Sequence, residues 1–101
     1  MSIVAIKFKP YFKEPMLAGV KVCTARTKRM GEPSDTFEAF GSQFHLMSVT
    51  KEDLTFVADL WSQEGCASRE HFIEVWNSIH PGVGYRPTQE VFLHRFKKVT
   101  R

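Results

Sequence analysis

Apolar and polar positions alternate at the start of the chain. Ile3, Ala5 and Lys7 are set against Val4, Ile6 and Phe8, which predicts a first strand over residues 3–8. Pro10 and Pro15 bracket a turn and a short helix that ends near Gly19. Val20 to Arg26 reads as a second strand, and the polar run Thr27 to Thr36 reads as a surface loop. Phe37, Phe40, Phe44, Leu46 and Met47 fall around Gly41, a pattern that suits one or two strands joined by a turn. Thr50, with Asp53 three positions on, resembles a capping box and predicts a helix starting there, with Leu54, Val57, Ala58 and Trp61 as its apolar stripe and Gly65 as its stop. Ser68 opens a further helix whose Phe72, Val75, Trp76 and Ile79 recur at helical spacing until Pro81-Gly82-Val83-Gly84 breaks it. Gln89 to Val99 forms a last strand, with Val91 and Leu93 on one face and Phe92 and Phe96 on the other.

The order of elements is therefore β, short α, several β, two α, β. The absence of strict βαβ alternation argues against a doubly wound parallel sheet. A small α+β fold, a mostly antiparallel barrel or curled sheet flanked by two or three helices, fits best. With 101 residues, 43% of them hydrophobic and nine phenylalanines, the chain supplies one core and one domain over residues 1–101. No internal repeat or low-complexity tract divides it.

Cys23 and Cys66 form no CxxC pair and are too few for a disulfide framework, so both are expected as reduced thiols. Lys7 and Lys9 follow the first apolar residues at once, and no apolar run is long enough to span a bilayer. These features point to a soluble, cytoplasmic protein that makes no membrane contact, and nothing suggests an obligate partner: the expectation is a monomer. The net charge of +3 hides an asymmetry, since residues 1–29 carry +6, residues 30–75 carry −7 and residues 76–101 carry +4. Neighbouring terminal strands would then make a positive face suited to phosphate or RNA, or simply two solvated faces.

Most familiar chemistries are missing. His45, His71, His80 and His94 have no metal-ligand spacing and no nearby cysteine, and there is no HExxH, GxSxG, P-loop or GxGxxG. No metal and no cofactor is expected. His94, between Phe92 and Phe96, reads as a tucked structural histidine, Trp61 and Trp76 as core, and Cys23 as a small buried thiol.

What remains is Lys21, Thr24 and Arg26 set among apolar neighbours after Gly19, with Glu64 as the best-placed carboxylate partner. A threonine hydroxyl becomes a nucleophile when a base takes its proton. A lysine in its neutral form can serve as that base, and a carboxylate can orient the lysine or pass a proton to a leaving amine. On a regular strand, residues 21 and 24 point to opposite faces. The two meet only if Lys21 lies in the turn before the strand or a bulge intervenes. Otherwise Lys21 and Arg26 cap strand ends and pair with acids such as Glu64.

The run Leu17-Ala18-Gly19-Val20-Lys21-Val22-Cys23-Thr24-Ala25-Arg26 resembles the G-x-K-x-x-T-x-R signature of ASCH domains, small PUA-like β-barrels. Gly41-Ser42-Gln43-Phe44 is similar to that family's G-D-x-F step, with serine for aspartate. Gln63-Glu64-Gly65, followed by Ser68-Arg69-Glu70-His71-Phe72 and Trp76, resembles its E-G-F-x-S-x-E-E-F-x-x-x-W segment, with Cys66 where an apolar residue is usual. The resemblance covers roughly residues 3–98. It implies the activity of the small bacterial members, amidohydrolases that remove the acyl group of N(4)-acetylcytidine. Lys21, Thr24 and Glu64 match their catalytic residues. Arg26 is assigned to substrate or oxyanion by its chemistry alone. The substrate implied is a small modified nucleoside.

Other members of the superfamily bind RNA, and some are reported as ribonucleases. The alternative is thus an RNA-binding module that sets Lys21, Arg26, Lys28 and Arg29 against phosphates. An adaptor role without catalysis has no specific feature in its favour.

Overall fold

A computed structural model of the chain describes residues 2–99. Four antiparallel strands form its sheet: β1 (Cys23–Arg26), β2 (Thr36–Ala39), β3 (Ser42–Asp53) and β4 (Glu90–Lys98), in spatial order β1-β4-β3-β2. The sheet curls into a half-barrel and carries α1 (Lys13–Leu17), α2 (Leu54–Asp59) and α3 (Arg69–Ile79), with a single 3₁₀ turn, Pro10–Phe12, leading into α1. The α+β architecture expected from the order of elements, a mostly antiparallel curled sheet flanked by helices, is the one observed.

The long β3–β4 ladder is the spine. Its register shifts between Leu46 and Ser48, where Met47 is pushed outward to 55% exposure. Such a bulge bends and twists a strand, and here it curls the sheet around an aromatic cluster. Phe37 and Phe44 stack at 5.3 Å, and Phe96 meets both edge-on at 5.4 and 5.5 Å. The β2–β3 hairpin turns through Phe40 and Gly41, both at positive φ (53° and 79°), as a two-residue hairpin loop requires.

Several sequence expectations change. Residues 3–8 are not a ladder strand: only Ile3 pairs, as a parallel bridge to Thr36. The alternation there marks burial. Ile6 is buried and Phe8 stacks on Phe37 at 5.7 Å, while Ile3, Ala5 and Lys7 face outward. The helix expected from Thr50 begins at Leu54, because Thr50 to Asp53 continue β3 opposite Leu93 to Glu90. Cross-strand pairing outweighs the capping pattern, and Asp53 makes no side-chain cap. The second strand starts at Cys23, three residues later than Val20.

The helix α2 also ends earlier than expected, at Asp59, and the chain reaches Gly65 through turns over residues 60–65, so Trp61 lies beyond it. The start of α3 agrees. Ser68 caps α3, its hydroxyl accepting from the His71 amide at 3.0 Å. Phe72 and Trp76 bury the stripe, whereas Ile79 at its end is exposed. β4 runs one residue short of the expected strand at each end. Among the described residues no helix is long and apolar enough to cross a membrane.

Candidate functional site

Two stretches far apart in sequence build the site. Residues 20–22 leave α1 as a short connector rather than as strand: Val20 and Lys21 amides both donate to the Pro15 carbonyl, at 2.9 and 3.0 Å. The Val22 amide then donates to the Gln63 carbonyl at 2.8 Å, and the Val22 carbonyl accepts from the Phe96 amide at 2.9 Å. The turn after α2 is thereby stitched to the entry of β1, a seam extended by Arg95, which donates to the Gln63 side chain at 3.0 Å. Because Lys21 precedes the strand, the face rule that would separate it from Thr24 does not apply.

Gly65 makes the approach possible. Its φ is +84°, and a Cβ there would lie 2.8 Å from the Lys21 Cβ and 3.2 Å from that of Pro15. Any other residue would push the Glu64 backbone away from Lys21 and strain the left-handed turn.

Lys21 and Glu64 form a buried pair, 2% and 4% exposed. The ammonium donates to Glu64 Oε1 at 3.2 Å, to the Glu64 carbonyl at 2.8 Å and to the Cys23 carbonyl at 2.9 Å. Three protons thus meet three acceptors, and the Phe12 ring lies 4.4 Å from Nζ. The other carboxylate oxygen of Glu64 accepts from the Cys23 thiol at 3.4 Å. Burial first, then the charge of Glu64, pushes that thiol far up from its ordinary range. Cys23 therefore supports the carboxylate and is no nucleophile.

Thr24 is 5% exposed and shares its strand side with Arg26, whose Nε donates to the Thr24 hydroxyl oxygen at 3.2 Å. The hydroxyl proton has no acceptor of its own among the described residues. Arg26 also donates to the Lys7 carbonyl at 2.6 Å and lies 4.9 Å from the Phe8 ring. Its burial lowers the guanidinium from its ordinary value, opposed by the charge of Glu64.

Lys21, Thr24, Arg26 and Glu64 all line one cleft of about 480 Å³. Phe72 and Trp76 on α3 and His80 just beyond its end line it as well, with Trp76 and His80 stacked at 4.0 Å. All four residues singled out in the sequence thus line the same cleft, as two bonded pairs, Lys21 with Glu64 and Arg26 with Thr24. Trp76 does more than fill the core: the indole Nε1 is buried without a hydrogen-bond partner. Phe8, Phe12, Lys7 and Lys9 also line the cleft and were not singled out. Only the shared side of Lys7 and Lys9, two residues apart, left a trace in the sequence.

His94 is structural, as expected. It is fully buried, its Nε2 accepting from the Met30 amide at 3.0 Å and its Nδ1 lying 3.0 Å from the Phe92 carbonyl. Arg29 is bound to Glu32 through two contacts of 2.6 and 2.7 Å and does not line the cleft. Among the described residues no three His, Cys, Asp or Glu side chains gather to hold a metal.

No protein-family model matches the sequence, and no curated protein resembles it significantly. Solved structures do. An ASCH domain from Lactobacillus crispatus is 14% identical over 96% of this chain and 78% of its own, with a TM-score of 0.64. The hypothetical protein PH0355 is 13% identical over 97% of both chains, with a TM-score of 0.70. Protein EF3133 from Enterococcus faecalis is 10% identical over 97% of this chain and 78% of its own, at 0.61. The chain has the fold of an ASCH domain.

Proposed function

We propose that the protein is an amidohydrolase that removes the acyl group from N(4)-acetylcytidine and related N(4)-acylated cytosine nucleosides. One observation carries this reading. A buried lysine–carboxylate pair and a threonine hydroxyl held by an arginine line the same cleft, beside an aromatic wall suited to a flat base.

The resting pair holds Lys21 as donor and Glu64 as acceptor. One proton passed along that 3.2 Å hydrogen bond leaves a neutral amine and a carboxylic acid, the two forms the reaction needs. The Thr24 oxygen attacks the amide carbonyl while its proton goes to the Lys21 amine. Arg26 holds the attacking oxygen through Nε, and the remainder of its guanidinium stabilises the negative charge that develops on the carbonyl oxygen. Collapse breaks the carbon–nitrogen bond, and the Glu64 proton goes to the departing cytosine amine. The result is an acyl-Thr24 ester, with Lys21 charged and Glu64 ionised as at the start. Water then attacks the ester. After the same proton passage, Lys21 accepts the water proton and Glu64 returns one to the Thr24 oxygen, releasing the carboxylic acid.

The RNA-binding alternative fares less well in its original form. Lys21 is sunk in a buried ion pair and is not available to a phosphate backbone, and Arg29 does not line the cleft. Purified protein incubated with N(4)-acetylcytidine tests the proposal: chromatography should detect cytidine and acetate in equal amounts. Absence of both at high enzyme concentration overturns it.

A further inference from the structure

The mouth of the cleft holds more positive charge than an uncharged nucleoside can use. Inside, Lys21 and Glu64 neutralise one another, and Arg26 is committed to the Thr24 hydroxyl and the Lys7 carbonyl. Three further lysines, Lys7, Lys9 and Lys28, line the same cleft and are exposed. None of them makes an ion pair or a side-chain hydrogen bond among the described residues. Like charges gathered around one opening repel each other, and an anion seated between them relieves that repulsion.

These lysines are not carried on a loose tail. The Lys7 carbonyl is held by Arg26 at 2.6 Å and the Lys9 carbonyl by the Phe12 amide at 3.0 Å. Two residues after Lys28, the Met30 amide is tied to His94 at 3.0 Å. Backbone anchoring at all three points presents the side chains to the same opening.

We infer that the cleft takes its acylated cytosine from a phosphate-bearing nucleotide rather than from the free nucleoside, with Lys7, Lys9 and Lys28 receiving the phosphate. The inference rests on the proposed site, and it assigns a substrate class to the rim that the chemistry at Thr24 does not require. A free nucleoside monophosphate and a nucleotide within an RNA strand offer the same phosphate chemistry.

The test compares N(4)-acetylcytidine, its 5′-monophosphate, and a short single-stranded oligoribonucleotide carrying one N(4)-acetylcytidine. At low ionic strength kcat/KM should favour a phosphate-bearing form by about tenfold, and high salt should shrink that ratio. The monophosphate leading identifies free nucleotides as the source, and the oligonucleotide leading identifies RNA. The triple variant Lys7→Gln/Lys9→Gln/Lys28→Gln should bring the ratio towards one. Equal kcat/KM for all three substrates with the wild-type protein overturns the inference while leaving the amidohydrolase reading intact. If none is hydrolysed, titration of tryptophan fluorescence with cytidine and with cytidine 5′-monophosphate decides the matter independently of catalysis. About tenfold tighter binding of the monophosphate, abolished in the triple variant, sustains the inference, and equal affinity or no binding overturns it.

Discussion

The Lys21 ammonium and the Glu64 carboxylate meet at 3.2 Å with almost no solvent contact, although 43 residues separate them in sequence. Taking two charges out of water is costly, and the pair persists because every proton of Lys21 and both oxygens of Glu64 have partners. Removing one member strands the other. Lys21→Ala and Glu64→Ala should each lose about 3–5 kcal/mol of stability, read from denaturant unfolding. A loss under about 1 kcal/mol would mean that the pair is not buried in solution. For this reason neither substitution alone isolates a catalytic role.

Gly65 sets the distance within that pair. Gly65→Ala places a methyl 2.8 Å from the Lys21 Cβ on a backbone at φ +84°. The expected cost is about 1–3 kcal/mol, a fall in melting temperature of several degrees for a domain of this size. Turnover should fall with it, since Glu64 must retreat from Lys21. An unchanged melting temperature would contradict the close approach.

Both cysteines should resist alkylation in the folded protein. Burial pushes the Cys66 thiol up to about 11, and Cys23 lies higher still beside Glu64. Iodoacetamide at mildly alkaline pH should label neither by mass spectrometry until denaturant is added. Rapid labelling of Cys23 in the native state would remove it from its place against the carboxylate.

Acid should weaken the fold partly through His94. Burial lowers this imidazole from its ordinary value near 6.5, against the opposing pull of its backbone partners. Between the folded and unfolded values the unfolded chain binds more protons. Stability therefore falls as pH drops below about 6.5 and is retained above it. The His94→Gln variant should be less stable at neutral pH yet show a flatter dependence between pH 7 and 5. Parallel profiles for variant and wild type would contradict this.

Much of this arrangement was legible in the sequence, and the gaps have physical causes. Ser68, the α3 stripe and β4 follow from local signals, a cap and two periodicities, which act over a few residues. The failures at residues 3–8 and at Thr50 share one origin. Alternation reports which side is buried and does not say whether the backbone finds a partner strand, and a cap pattern does not register that β4 is still alongside. At the site, Lys21, Thr24, Arg26 and Glu64 were readable as polar residues in an apolar setting. That Lys21 lies before the strand was not, because it depends on the Pro15 and Gln63 carbonyls. The cleft roles of Trp76 and Phe12 left no local signal, since a residue that lines a cleft wears the same apolar pattern as one that fills a core.

Thr24 offers the most direct measurement. Thr24→Val removes the hydroxyl while keeping the shape of the side chain, and it leaves the Lys21–Glu64 pair in place. Hydrolysis of the acyl amide of N(4)-acetylcytidine, or of its phosphate-bearing form, should fall by about a thousandfold or more with the melting transition still cooperative. Mass spectrometry of wild-type protein quenched during turnover should find one acyl group on the peptide containing Thr24. A Thr24→Val protein that turns over at the wild-type rate would contradict the account.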